Sequence, residues 1–261
     1  MNLPLILAIE LNLIIFLFGI VIGSFLNVCI YRIPKKESIV VVRSHCMSCG
    51  YQLKWYDLFP LFSYIFLGGK CRKCKAKISI QYPIIEALNG VFYLIIFMIN
   101  GINVDSLLYC LLFSTLIVLS VIDFRTYEIP VGLNITILAL GLIRVAVHYQ
   151  DWLNHVIGLF AVSVLLWIIY QVSKGRAIGG GDVKLMAAAG LFLGWKNIIF
   201  AFCVGCILGA VIHVARMKLS ERKGQEANHV LAMGPYLAAG IAIATLFGDS
   251  FISWYIALCG F

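Results

Sequence analysis

The sequence predicts an all-α polytopic membrane protein, with about eight transmembrane helices and one small polar loop domain between the first and second spans. Three observations carry this. Of the 261 residues, 62% are hydrophobic and only 12% are charged, against roughly half and a quarter in an average soluble domain. The apolar residues gather into runs near the roughly 20 residues that a hydrocarbon core demands. Finally, the net charge of +8 is localised: residues 31–80 hold ten Lys/Arg against Glu37 and Asp57, while the other 211 residues hold ten of each sign. Composition excludes a soluble enzyme, a disordered chain and a disulfide-rich secreted domain. A basic balance confined to one loop also lacks the basic face of a nucleic-acid-binding domain, so no nucleic-acid partner is expected.

The first apolar run, about 5–30, has no basic flank before it, carries Glu10, and continues past any cleavage point. It therefore reads as a span rather than a signal peptide. Residues 31–82 form the polar loop domain. Further runs at about 83–100, 105–124, 129–148, 153–173, 183–194, 198–215 and 230–248 make up a membrane domain, 83–261. The run 183–194 is short. The stretch 249–261, after Asp249, is too short to span and is expected to lie in the interface or re-enter. Residues 219–229 form a polar connector. Lys and Arg in short loops mark the cytoplasmic side. Placing 31–80 there puts eighteen of the twenty Lys/Arg on or near that side, opposed only by Arg144 and Lys196. The N-terminus is then outside, and the basic loop lies close to anionic lipid headgroups.

The loop contains Cys46-Met-Ser-Cys49 and Cys71-Arg-Lys-Cys74. Two Cys-x2-Cys knuckles suit tetrahedral zinc, each supplying two thiolates from a tight turn. The 21 intervening residues fall slightly beyond the usual window of about 15–20. Gly50 after the first knuckle and Gly68-Gly69 before the second permit tight backbone. Arg43, Lys70, Arg72, Lys73, Lys75 and Lys77 offset the thiolate charge. Two disulfides or free thiols are the competing readings, and a cytosolic loop disfavours the former. The other cysteines, Cys29, Cys110, Cys259, Cys203 and Cys206, lie in apolar stretches and read as packing residues.

Acids inside spans are costly and functional by default. Asp123 ends the third run in Val-Ile-Asp-Phe-Arg-Thr-Tyr-Glu-Ile-Pro, and Asp182 follows Gly179, Gly180 and Gly181. Both fall at cytoplasmic ends. Two carboxyls at one depth can share a proton, one activating water while the other polarises a carbonyl, which is general acid–base peptide hydrolysis. Against this, Asp182 could cap the following helix, and Asp123 could pair with Arg125. The glycines favour catalysis: they permit close backbone approach or positive φ, and a peptide substrate needs non-helical backbone to pair with. Glu128 reads as a solvated interfacial acid and His213 as a packed or interfacial histidine. Glu86, near the start of the second span, either binds a partner or pairs with basic loop residues.

Together these motifs resemble the type IV prepilin peptidases, the leader peptidases of pilins, pseudopilins and competence pilins. The likeness covers nearly the whole chain. Gly23-Ser-Phe-Leu-Asn-Val-Cys-Ile-Tyr-Arg-Ile-Pro34 resembles the family's first-span signature. The cysteine pairs with Trp55-Tyr-Asp-Leu-Phe-Pro60 between them resemble its cytoplasmic zinc loop, and Ile78–Glu86 the start of its second span. Ile122–Pro130 and Gly179–Leu185 resemble its two catalytic motifs, and Gly234-Pro-Tyr-Leu-Ala238 its late Gly-Pro signature. Met47 stands where the family often has Pro, and Val131 where it often has Asp.

The resemblance implies cleavage of a short basic leader from a prepilin or pseudopilin, after a glycine at the membrane surface. It also implies N-methylation of the new N-terminal residue with S-adenosylmethionine. By the same likeness Asp123 and Asp182 are the catalytic pair, and Cys46, Cys49, Cys71 and Cys74 are the metal ligands. The likeness places Gly179, Gly180, Gly181 and Lys184 at the peptide, and associates Gly69 and Glu86 with methyl transfer. An inner-membrane, multi-pass location follows. The loop is too short for a βαβ nucleotide fold and shows no Gly-rich fingerprint, so methyl transfer rests on resemblance alone. The alternatives are an aspartyl protease of the same class without methylation, or a non-catalytic zinc-loop scaffold or proton-coupled transporter.

Overall fold

The computed structural model describes residues 3–41, 43–222 and 231–259, and these are helical apart from loops and two isolated β-bridges. The helices are α1 (Leu3–Arg32), α2 (Phe62–Phe66), α3 (Gln81–Asn100), α4 (Val104–Thr126), α5 (Val131–Val147), α6 (Trp152–Ala161), α7 (Ser163–Val172), α8 (Gly180–Leu193), α9 (Trp195–Arg222) and α10 (Gly234–Leu258). The chain divides into two compact units, Met1–Val118 and Leu119–Phe261, with the division inside α4.

Every expected run becomes helix, but among the described residues six segments are long and apolar enough to cross a membrane, with α6 and α7 sharing one of them. The exceptions among the eight expected are α5, at 17 residues, and α8, at 14. At 1.5 Å per residue these reach about 26 and 21 Å against a core of about 30 Å, so α5 stands at the lower limit of a spanning helix and α8 below it. The expectation for 249–261 is corrected. Helix α10 continues unbroken through Asp249 to Leu258, since one acid in an apolar helix is no breaker, and Asn197 donates to its carboxylate at 2.8 Å. Residues 223–229 of the expected polar connector lie outside the described residues.

In the first unit, α1 and α3 pack at backbone distance. A Cβ on Gly19 would stand 2.8 Å from the Gly90 Cα, and one on Gly23 would stand 2.7 Å from the Glu86 Cα. Small residues at such crossings are what membrane helices use to associate. Asn89 donates across the same seam to the Gly19 carbonyl at 2.7 Å, and accepts from Ser114 of α4 at 2.9 Å.

In the second unit, α8 is the central helix. Leu185, Met186, Ala189 and Phe192 are fully buried, and α5, α6, α7, α9 and α10 pack against it. The run Ala187-Ala-Ala-Gly190 explains the position, because small side chains admit neighbours on every side. At Gly190 a Cβ would collide with the Gly158 carbonyl of α6. The C-terminal carbonyls of α8 are capped by side chains: Arg144 donates to Phe192 at 2.8 Å, and the His155 ring donates to Leu191 at 2.9 Å. Unpaired carbonyls and the helix dipole both favour a cation there. That gives a local reason for Arg144 to stand against the loop-charge pattern.

Candidate functional site

Each unit presents one constellation. In the first, the two cysteine knuckles fold alike. The Cys46 N–H donates to the Tyr51 carbonyl and the Cys71 N–H to the Ala76 carbonyl, both at 2.8 Å. The Gly50 N–H returns to Cys46 at 2.9 Å and the Lys75 N–H to Cys71 at 3.0 Å. The bridges His45–Gln52 and Lys70–Lys77 close the two turns equivalently. No disulfide joins any two of the four cysteines, against the disulfide reading. Their Sγ atoms lie within 4.8 Å of one another, and those of Cys46 and Cys74 are 3.8 Å apart. A tetrahedron with Zn–S arms of about 2.3 Å has edges of about 3.8 Å, so the group has the dimensions of a metal-binding cluster.

The electrostatics agree. The Ser48 backbone N–H, joined by that of Cys49 and by neighbouring thiols, draws Cys46 down to about 6. Cys49 moves up to about 11: the Tyr51 N–H favours its thiolate, but desolvation and the surrounding thiols prevail. Arg72, inside the second knuckle, pairs with Asp57 at 2.7 Å, tying the Trp55–Asp57 turn to the cluster. Gly69 is required by its backbone, at φ +67, where its N–H closes the turn on Tyr64 at 2.9 Å.

Glu86, in the second turn of α3, is buried and does not pair with a basic loop residue. Its Oε2 accepts the Leu61 backbone N–H at 2.8 Å. A cavity of about 360 Å³ runs from Glu86 and Asn27 to Cys46 and Cys71, inside the roughly 300–1,000 Å³ range of small-molecule sites.

The second constellation contains the two aspartates, both buried. Asp123 sits in the last turn of α4, and its Oδ2 accepts the Gly234 N–H at 2.9 Å. Gly234 opens α10 with Pro235 beside it, so this donor is one of the free N–H groups of a helix start. A Cβ on Gly234 would stand 2.7 Å from that same Oδ2. Asp182 lies in the first turn of α8 but is not its cap; the N-cap is Gly179, in extended conformation. The Asp182 carboxyl folds back over Gly179, where a Cβ would stand 3.0 Å from Oδ2. The two carboxyls lie within electrostatic reach of one another.

None of Gly179, Gly180 and Gly181 has a positive φ, and Gly180 and Gly181 already belong to the helix. The glycines serve close approach instead, since a Cβ on Gly181 would meet Ile129 at 2.9 Å. Lys184 is exposed, and so is Glu128, as its solvated reading expects. Among the remaining cysteines, Cys29 and Cys110 are buried, whereas Cys203 and Cys259 are exposed. The packing expectation fails for those two: Cys203 lies on an outward face of α9, and Cys259 follows the end of α10 as its C-cap. Two contributors escaped the sequence reading. One is the Gly234 N–H, visible only as part of a Gly-Pro motif. The other is Asn134 of α5, buried, donating to the Gly181 carbonyl at 3.3 Å. A polar residue inside an apolar run was its only signal.

Comparison with known proteins gives one consistent result. Residues 17–99 match the bacterial peptidase A24 N-terminal domain, and residues 110–214 match the type IV leader peptidase family. A prepilin leader peptidase/N-methyltransferase of Bacillus subtilis (strain 168) is 32% identical over 94% of this chain and 98% of its own. Proteins of the same description from Aeromonas salmonicida (strain A449) and Pseudomonas aeruginosa are each 30% identical over 94% of this chain and 93% of theirs. No solved structure matches.

Proposed function

The chain belongs to the type IV leader peptidase family, and from that premise we propose that it removes the short basic leader of type IV prepilins or pseudopilins. Cleavage falls after a glycine at the cytoplasmic face of the cell membrane, and the new N-terminal residue is then N-methylated with S-adenosylmethionine. The observation that carries the protease half is the pair of buried carboxyls, Asp123 and Asp182, set at the ends of α4 and α8 in one unit. The ionised member takes a proton from water as the oxygen attacks the scissile carbonyl, which the protonated member polarises; the proton then passes to the leaving amine. The Gly234 N–H orients Asp123. Gly179, Gly180 and Gly181, with Lys184, form the side along which the peptide lies.

Cys46, Cys49, Cys71 and Cys74 hold zinc, supported by the tetrahedral fit of their sulfurs. The metal supplies the folding energy that joins two knuckles with little apolar core of their own. Gly69 and Glu86 belong to the methyl-transfer half. The cysteine module also exposes Trp55, Phe59, Phe62 and Phe66 beside its basic residues. This combination suits the headgroup region of an anionic leaflet.

The test is incubation in detergent with a prepilin carrying a Gly-Phe junction, read by mass. Leader loss followed by gain of one methyl group is expected, and Asp123→Asn and Asp182→Asn should each stop the first step while remaining folded. Full cleavage by either variant overturns the dyad. Cleavage by the wild type without methyl gain removes the second half of the reading.

A further inference from the structure

The cleavage step proposed above uses no residue of the first-span signature, yet polar members of that signature line one cavity with Glu86. Gly23, Ser24 and Asn27 share one face of α1. The absent side chain at Gly23 lets α1 reach the backbone of Glu86, and Ser24 lines the same cavity as Glu86. Asn27 is 3% exposed and Glu86 6%. The Asn27 amide donates to the Gly23 and Tyr82 carbonyls at 3.4 and 3.2 Å, which fixes its orientation. Its Oδ1 is then a buried acceptor without a hydrogen-bond donor. Among the described residues no salt bridge reaches Glu86. Its backbone donor, Leu61, is held at φ +59, a strained conformation for a leucine and of the kind that collects at ligand sites. Both Asn27 and Glu86 line the 360 Å³ cavity that extends to Cys46 and Cys71.

A buried carboxylate without a counter-cation, beside an amide oxygen without a donor, is a receptor for a cation that carries N–H groups. A sulfonium centre has none, whereas an α-ammonium has three; of the two α-ammonium groups the reaction brings together, the donor's own and that of the new pilin N-terminus, only the latter must give up a proton to a base before it is methylated. We infer that Glu86 and Asn27 bind the α-amino group of the newly exposed pilin N-terminus and that Glu86 takes its proton for methyl transfer. The inference rests on the methyl-transfer half of the function proposed above. The ammonium gives one proton to the Glu86 carboxylate. The nitrogen lone pair then attacks the methyl carbon of the sulfonium donor, and the C–S bond breaks with its electron pair passing to sulfur. A secondary ammonium and a neutral thioether result, and the Glu86 carboxyl releases its proton to water.

Two readouts test this, using the full chain in detergent. A fluorescent mature-pilin peptide with a free N-terminal Phe should bind the wild type roughly 10–100-fold more tightly than its N-acetylated form, as expected for a charged hydrogen-bonded group. Glu86→Gln and Asn27→Ala should each erase most of that preference. Methylation kcat in Glu86→Gln should fall about 100-fold, the contribution of a general base, with Glu86→Asp recovering part of it. Zinc content and leader removal report an intact fold. Glu86→Gln with wild-type kcat, or with the free-amine preference intact, overturns the inference. Absence of methylation in the wild type instead overturns the reading beneath it.

Discussion

The tetracysteine module and the aspartate site are built on opposite plans. The module is local: its four ligands lie within 29 residues, and its turns are closed by backbone bonds spanning four or five residues. The aspartate site is assembled from distant parts of the chain. Gly234 meets Asp123 across 111 residues, and Asn134 meets Gly181 across 47. With zinc bound as proposed, the module has one weak point, the metal, whose loss should undo it. The aspartate site is distributed among helix ends held by packing, so a fault there misplaces a carboxyl without unfolding the unit. The contrast predicts that ligand removal should damage the first structurally and the second chemically.

The sharpest test exchanges the two kinds of damage. Asp123→Asn and Asp182→Asn remove the chemistry outright, and leader cleavage should fall by about 1,000-fold or more, with melting temperature and zinc content unchanged. Cys46→Ser should do the reverse at its own site. It forfeits a folding contribution of order several kcal/mol, seen as loss of zinc and as new proteolytic cuts within 43–77. If Cys46→Ser keeps one zinc per chain and its protease resistance, the module does not depend on the metal.

A milder test concerns position rather than chemistry. In Gly234→Ala the new methyl group falls 2.7 Å from Asp123 Oδ2, so the carboxyl or the start of α10 must shift. Displacements of about 1 Å at a reacting centre can cost about 100-fold, and the loss should appear in kcat, with the protein folded. Wild-type turnover would show that the Gly234 N–H does not orient the catalytic carboxyl.

This division also explains what the sequence revealed. The spans were legible because hydropathy is a local property. The cysteine cluster was legible because its spacing is the turn itself. Asp123 and Asp182 stood out because acids are rare in apolar runs. Their partners did not, because a backbone N–H at Gly234 leaves no side-chain signature. For the same reason, Asp182 could be taken for a helix cap when the cap is Gly179. The short helix α8 reads as a span because composition does not distinguish a lipid-facing helix from one enclosed by others, whereas α5 keeps an exposed apolar face with Ile135 and Leu142 on it. Only the Ala187–Gly190 run hinted that α8 is enclosed. Arg144 was an anomaly in the charge pattern until the carbonyl ends of α8 were seen to need a donor.

The smallest expected effect lies between the two knuckles. They share every backbone bond, yet the residue after the second cysteine is Gly50 in one and Lys75 in the other, at φ +68 and +60. A non-glycine residue in that region costs about 1–2 kcal/mol, while glycine gives back roughly 0.5–1 kcal/mol through the freedom of the unfolded chain. Glycine should thus be favoured at both positions by about 0.5–1 kcal/mol. Lys75→Gly alone would confuse this with loss of a positive charge beside four sulfurs, so the comparison is Lys75→Gly against Lys75→Ala, and wild type against Gly50→Ala. In each pair the glycine form should hold zinc about two- to fivefold more tightly against a competing chelator. Equal retention within both pairs would mean that the metal, rather than the turn, dictates the backbone. A difference at Gly50 alone would mean that the second knuckle relaxes around Lys75, and that the likeness of the two turns does not extend to their energetics.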